Sequence, residues 1–230
     1  MSVISHDNLD SLIEEMESIL SKVYRFEKLA SVRDHLISSN EATELSGQAN
    51  PNASVYAFND SEQEDFFIGI HFPEKILNNM VDTNPLESLR EENLNAFMIF
   101  IEELSHFHLI LNRLADKRVV SRVELEWQGE VDKLLLAALL LNRQYGDNHY
   151  FQLAHKLFES SQYTTTEEHY REANKYAAIF WYRLLTYEDG IWDPENSQKL
   201  HHILMEFYQK DWQTKVRDIE TRYSRSNRYG

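Results

Sequence analysis

The chain has no cysteine among its 230 residues. That absence excludes disulfides, thiolate nucleophiles and cysteine-ligated zinc together. Only four prolines and six glycines occur, so little in the composition interrupts long helices. Positive charge is scarce as well: 23 Lys and Arg face 38 Asp and Glu, a formal net charge of −15. Such an excess disfavours nonspecific attraction to nucleic acid or to an anionic membrane, and neither is expected as a partner. The longest unbroken apolar run, Leu134 to Leu141, falls far short of the roughly 20 residues that span a bilayer. Met1 to Asp7 shows no basic segment followed by an apolar one, so no secretory leader is expected and a cytoplasmic location is the default. A Gly-rich phosphate loop, a nucleotide fingerprint and a serine nucleophile elbow are all missing.

What is present is enough apolar material, 42% of residues, to bury a core as a single domain over 1–230. Its parts read as an N-terminal helix and loop (1–54), a hairpin with two core helices (55–145), and C-terminal helices with a basic tail (146–230). Leu9, Leu12, Ile13, Met16, Ile19, Leu20 and Val23 recur at helical spacing. Ser38 to Ser54, rich in Ser, Asn, Gly and Glu with Pro51 inside, reads as a surface loop. Val55–Phe58 and Phe66–Phe72 are dense in β-formers and predict a small antiparallel hairpin. Asn78–Thr83 reads as a break, and Asn84-Pro85-Leu86-Glu87 as a helix start. A helix from there to Lys117 would be about 48 Å long, which predicts an interruption near Asn93 or Asn95 and a central helix over Ala96–Leu114.

Ser121-x-x-Glu124 has the capping-box spacing and opens a second long helix that Gly146 ends. Further helices are expected over Tyr150–Phe158, from Thr164 to about Tyr187 before Gly190, and after Asp193-Pro194 with Leu200, Ile203, Leu204, Phe207 and Tyr208 as the apolar stripe. Lys215, Arg217, Arg222, Arg225 and Arg228 make a mildly basic end that reads as a solvated terminus. The fold class is therefore α+β and predominantly helical, a small hairpin packed on a helix bundle.

One stretch asks for a chemical explanation. Glu102-Glu103-Leu104-Ser105-His106 closes an apolar run that begins at Ala96. Residues four apart share a helix face, so Glu102 and His106 project together with Glu103 beside them. The pattern resembles the His-Glu-x-x-His helix of zincin metallopeptidases, with Glu in place of the first His. That resemblance implies a zincin-like core, metal ligands at Glu102 and His106, and Glu103 as general base for a metal-bound water. It also implies a third ligand on the following helix, where Glu126 lies twenty residues after His106 and Glu130 one turn later. Carboxylate oxygens accept zinc, and they tilt preference toward manganese or iron. EELSHF (Glu102–Phe107), ELEWQGEVDK (Glu124–Lys133) and EEHYREANKYA (Glu167–Ala177) together resemble a family of uncharacterised bacterial proteins over about 66–185, which implies a shared architecture and a shared site.

Two functions follow. The first is a degenerate zincin-like hydrolase dependent on Zn, Mn or Fe. The second is a non-catalytic binding or adaptor protein with a protein or peptide partner, in which Glu103 and His106 form a structural pair, Ser105 packs, and Glu126 and Glu130 pair with Lys133 or Arg122. A di-iron bundle ranks lower, because it needs two Glu-x-x-His motifs and only Glu103-x-x-His106 is present.

Overall fold

The computed structural model describes residues 6–60, 65–146, 168–187 and 198–226. It has eight described α-helices, a 3-10 turn over Val32–His35 and one hairpin: α1 (His6–Tyr24), α2 (Ser39–Ser46), β1 (Ser54–Asp60), β2 (Asp65–His71), α3 (Glu74–Asp82), α4 (Glu91–Ala115), α5 (Arg122–Tyr145), α6 (Glu168–Tyr187), α7 (Gln198–Gln209) and α8 (Trp212–Ser226). The architecture is mostly helical with a two-stranded antiparallel sheet.

The apolar stripe of α1 is buried throughout, from Leu9 to Val23. The hairpin pairs Ser54 with His71 and Asp60 with Asp65. On the far edge of β2, the amide of Ile37 donates to the carbonyl of Ile70 at 2.9 Å. Phe72, just past β2, stacks on Phe100 of α4 with centroids 4.7 Å apart, so the hairpin leans on the central helix. At the centre α4 and α5 run against each other, with α3 on α4, α6 on α5 and α7 on α1. The Leu134–Leu140 run is core. Gly146 caps α5 in the left-handed region at φ +70°, where a residue with a Cβ would be strained.

By length and composition α4 would suit a membrane, yet 67% of its most apolar stretch is buried inside the protein. Its apolar face is covered by neighbouring helices.

Several local expectations change. The loop expected over Ser38–Ser54 contains α2, opened by a reciprocal capping box between Ser38 and Glu41 and closed by Gly47 at φ +70°. Short-range polar signals there compose a cap rather than a coil. Asn78–Thr83 is not a break but the second half of α3. Asn84-Pro85 does not start a helix: the Asn84 side chain accepts from the Leu86 amide at 3.0 Å in a turn, and α4 begins at Glu91. Asn93 interrupts nothing. Its carboxamide accepts from the Arg90 amide and donates to the carbonyls of Thr83 and Ser88, so it fastens the start of α4 to the preceding turn. The basic end is helical up to Ser226 rather than frayed, and α8 buries Lys215 and Ile219 while Arg217 stays exposed. The helix expected over Tyr150–Phe158, the start at Thr164, the stop at Gly190 and the Asp193-Pro194 cap lie outside the described residues.

Candidate metal centre

Glu102, Glu103 and His106 come from consecutive turns of α4, and Glu126, Glu130 and Lys133 from consecutive turns of α5. Glu102, His106 and Glu126 each present one ligand atom, all within 4.8 Å of one another. His106 is 8% exposed and Glu126 8%; the Glu102 side chain retains 22%. The Nε2 atom of His106 lies 3.9 Å from a Glu126 oxygen. It is buried and has no hydrogen-bond partner, an arrangement that leaves a desolvated polar atom uncompensated. A tetrahedral ion with ligands at roughly 2.0–2.1 Å places neighbouring donors about 3.3 Å apart. Closing the present cluster onto a cation therefore takes shifts of a few tenths of an ångström to about an ångström and a half.

Gly129 makes room for this. It faces His106 across the helix pair, and a Cβ there would stand 3.1 Å from Nε2 and 3.3 Å from Cγ of Glu102. Glycine inside a helix costs about 1 kcal/mol relative to alanine, and here the missing Cβ lets the imidazole and the Glu102 side chain pack closely against α5. Gly129→Ala is expected to change thermal stability little, because helix propensity and crowding oppose each other. By pushing His106 aside it should weaken divalent-metal binding at least tenfold, measured by calorimetric titration with Mn(II).

Glu103, expected as the general base, lies 3.7 Å from Nδ1 of His106, at the other ring nitrogen from Glu126. Glu130, expected as a further ligand, is outside the three-residue group: it pairs with Lys133 Nζ at 2.9 Å. Lys133 also reaches Glu102 at 3.1 Å, a link that the helical spacing alone does not reveal.

Burial alone would push His106 down, but the Glu103 carboxylate at Nδ1, helped by Glu126 and Glu102, holds it up at about 9. Burial raises Glu126 to about 7 against the pull of His106, with Glu102 and Glu103 adding to the rise. Burial would raise Glu102 too, yet Lys133 and His106 hold it below the ordinary carboxylate range. Lys133 is kept above its ordinary value by Glu130 and Glu102 despite burial.

Behind this cluster runs a second buried network. Ser105, read as a small packing residue, donates to Asp132 at 2.6 Å; Tyr24 donates to the same carboxylate, and Gln128 Nε2 joins both at 3.0 Å. His108 Nε2 meets Glu17 at 3.1 Å while its Nδ1 is buried without a hydrogen-bond partner, and His71 Nδ1 lies 3.4 Å from the Ile37 carbonyl. The position of Glu17 was a legible signal: it is a carboxylate within the apolar stripe of α1, between Met16 and Leu20. Comparison with protein-family models, with curated proteins and with solved structures finds no match to this chain.

Proposed function

We propose that Glu102, His106 and Glu126 bind one divalent cation between α4 and α5, and that the protein is a metal-dependent hydrolase, a degenerate relative of the zincins. The observation that carries this reading is the buried Nε2 of His106, which has no hydrogen-bond partner, shares one group of ligand atoms with Glu126 and Glu102, and packs against Gly129. Three protein ligands would leave a coordination position for water, whose proton a bound metal makes easier to remove. Glu102, the most exposed of the three, marks the side from which water and substrate enter. Glu103, at Nδ1, then serves to orient the imidazole and increase its basicity, as carboxylates do behind metal-bound histidines. Two carboxylates and one imidazole favour manganese or iron over zinc.

The adaptor reading draws on a different observation: the cluster already carries cations of its own in Lys133 and a protonated His106. Metal analysis separates the two. Purified without chelator, the wild-type protein is expected to carry about one equivalent of Mn, Fe or Zn. A hundredfold excess of metal over Kd should add about 2.7 kcal/mol, or roughly 5–10 °C in Tm for a chain of this size. His106→Ala should lose both effects. Metal binding displaces the His106 proton, so affinity should rise with pH up to about 9. Wild-type protein with no metal and no metal-dependent Tm would leave the structural reading.

A further inference from the structure

The two basic residues of the cluster sit in matching surroundings. His106 has Glu103 three residues before it on its own helix at 3.7 Å, and Glu126 on the facing helix at 3.9 Å. Lys133 has Glu130 three residues before it at 2.9 Å, and Glu102 on the facing helix at 3.1 Å. Glu102 belongs to both groups, since it also stands within the ligand distance of His106 and Glu126. The Lys133 side chain is 11% exposed, so its ammonium is enclosed by the acids it neutralises. From this geometry we infer that Lys133 is a built-in second cation: it occupies the place where a second metal ion would sit, restricts the centre to one ion, and competes with that ion for Glu102. The inference rests on the metal-site reading above.

The chemistry follows from charge and donor type. An ammonium offers three N–H donors and no lone pair while protonated, so it satisfies Glu102 and Glu130 but cannot ligate. With a neutral donor at this position, Glu102 would be free to bridge two cations, and Glu130 would become a ligand of the second. Histidine suits the spacing, because the Glu-x-x-His arrangement on α4 already brings the two side chains together.

Mn(II) is the test ion, with the proteins purified in its presence so that the cation compensates for the lost ammonium during folding. Stoichiometry is read by elemental analysis after gel filtration and by the Mn(II) EPR spectrum. Wild type should saturate at one equivalent with the spectrum of an isolated ion. Lys133→His should take two, with the signal weakened and broadened by coupling between neighbouring ions. Lys133→Gln should bind its first Mn(II) at least tenfold more tightly than wild type, a gain that a merely structural lysine would not give. Two equivalents in wild type, one in a folded Lys133→His, or equal or weaker affinity in Lys133→Gln would each overturn the inference while leaving the metal site standing. No binding by wild type would overturn the metal reading itself. If Lys133→His does not fold, the wild-type stoichiometry and the Lys133→Gln affinity decide the matter.

Discussion

Replacing Arg113 by alanine is expected to lower the free energy of unfolding by about 3–5 kcal/mol, a large share of the roughly 5–15 kcal/mol that holds a typical domain together. The guanidinium meets Glu124 at 2.8 Å, and each side chain is 2% exposed. It also donates to the carbonyls of Tyr208 at 2.5 Å and Lys210 at 3.1 Å, where α7 turns into α8. One planar cation thus ties the end of α4, the start of α5 and the α7–α8 corner. Alanine would strand a buried carboxylate and two carbonyls, which costs far more than the pair contributes over an apolar replacement. The control is the double variant Arg113→Met with Glu124→Leu, which removes both charges and should recover the part of the loss owed to the stranded carboxylate, the Tyr208 and Lys210 carbonyls staying unpaired. Urea unfolding of the three proteins checks this; a loss below about 1 kcal/mol in Arg113→Ala would show that Glu124 finds water or another partner.

Arg113 also shows where reading the sequence stops. Periodicity reports which residues face inward along one helix, and it located α1, the hairpin and the start and end of α5 well. Ser121-x-x-Glu124 did cap α5 through Ser121, which accepts from the Glu124 amide at 3.2 Å. The Glu124 carboxylate, however, leaves the capping box for Arg113, a partner across a helix pair that no spacing rule foresees. The errors before α4 have one cause. Asn84, Asn93 and Ser38 each carry side chains that can either end a helix or fasten its beginning; Ser38 and Asn84 settle it with partners two or three residues on, whereas Asn93 reaches back to the Thr83 and Ser88 carbonyls.

The candidate site was legible to the same depth. Glu102 and His106 share a face by helix geometry alone, and the antiparallel return through the short 116–121 connection brought Glu126 to them. Glu130 lies one turn further along α5, where Lys133 claims it. Gly129 carried a signal in plain view: a lone glycine in the middle of a long helix costs about 1 kcal/mol relative to alanine. What it approaches needed three dimensions.

Lys215 carries the second large effect, and its signature is pH. The residue is 1% exposed, and its amine lies 4.0 Å from the Phe207 ring centroid and donates to Gln128 Oε1 at 3.0 Å. One acceptor is too few for an ammonium. Burial pushes Lys215 down to about 7, Glu124 and Asp132 opposing and Arg113 and Arg118 assisting. Between about pH 7 and the ordinary lysine value near 10.5, the unfolded chain holds a proton that the folded one has released, so this residue's contribution to stability rises with pH across that window. Below it the charged amine must be buried, and the whole shift amounts to roughly 5 kcal/mol. His106 works the other way: held near 9 when folded, it adds stability below its ordinary value and loses it as pH rises to 9. The wild-type curve alone would therefore mislead, and the informative quantity is the difference between wild type and Lys215→Met at each pH. Methionine fills similar space without charge, at a pH-independent cost of about 1–3 kcal/mol for stranding Gln128 Oε1. Relative to wild type, Lys215→Met should therefore be favoured by roughly 2–5 kcal/mol more at pH 6.5 than at pH 10. Lys215→Arg, which cannot give up its proton, should be the least stable of the three at pH 10. A difference between wild type and Lys215→Met that stays flat across the window would mean that α8 opens to let water reach the amine.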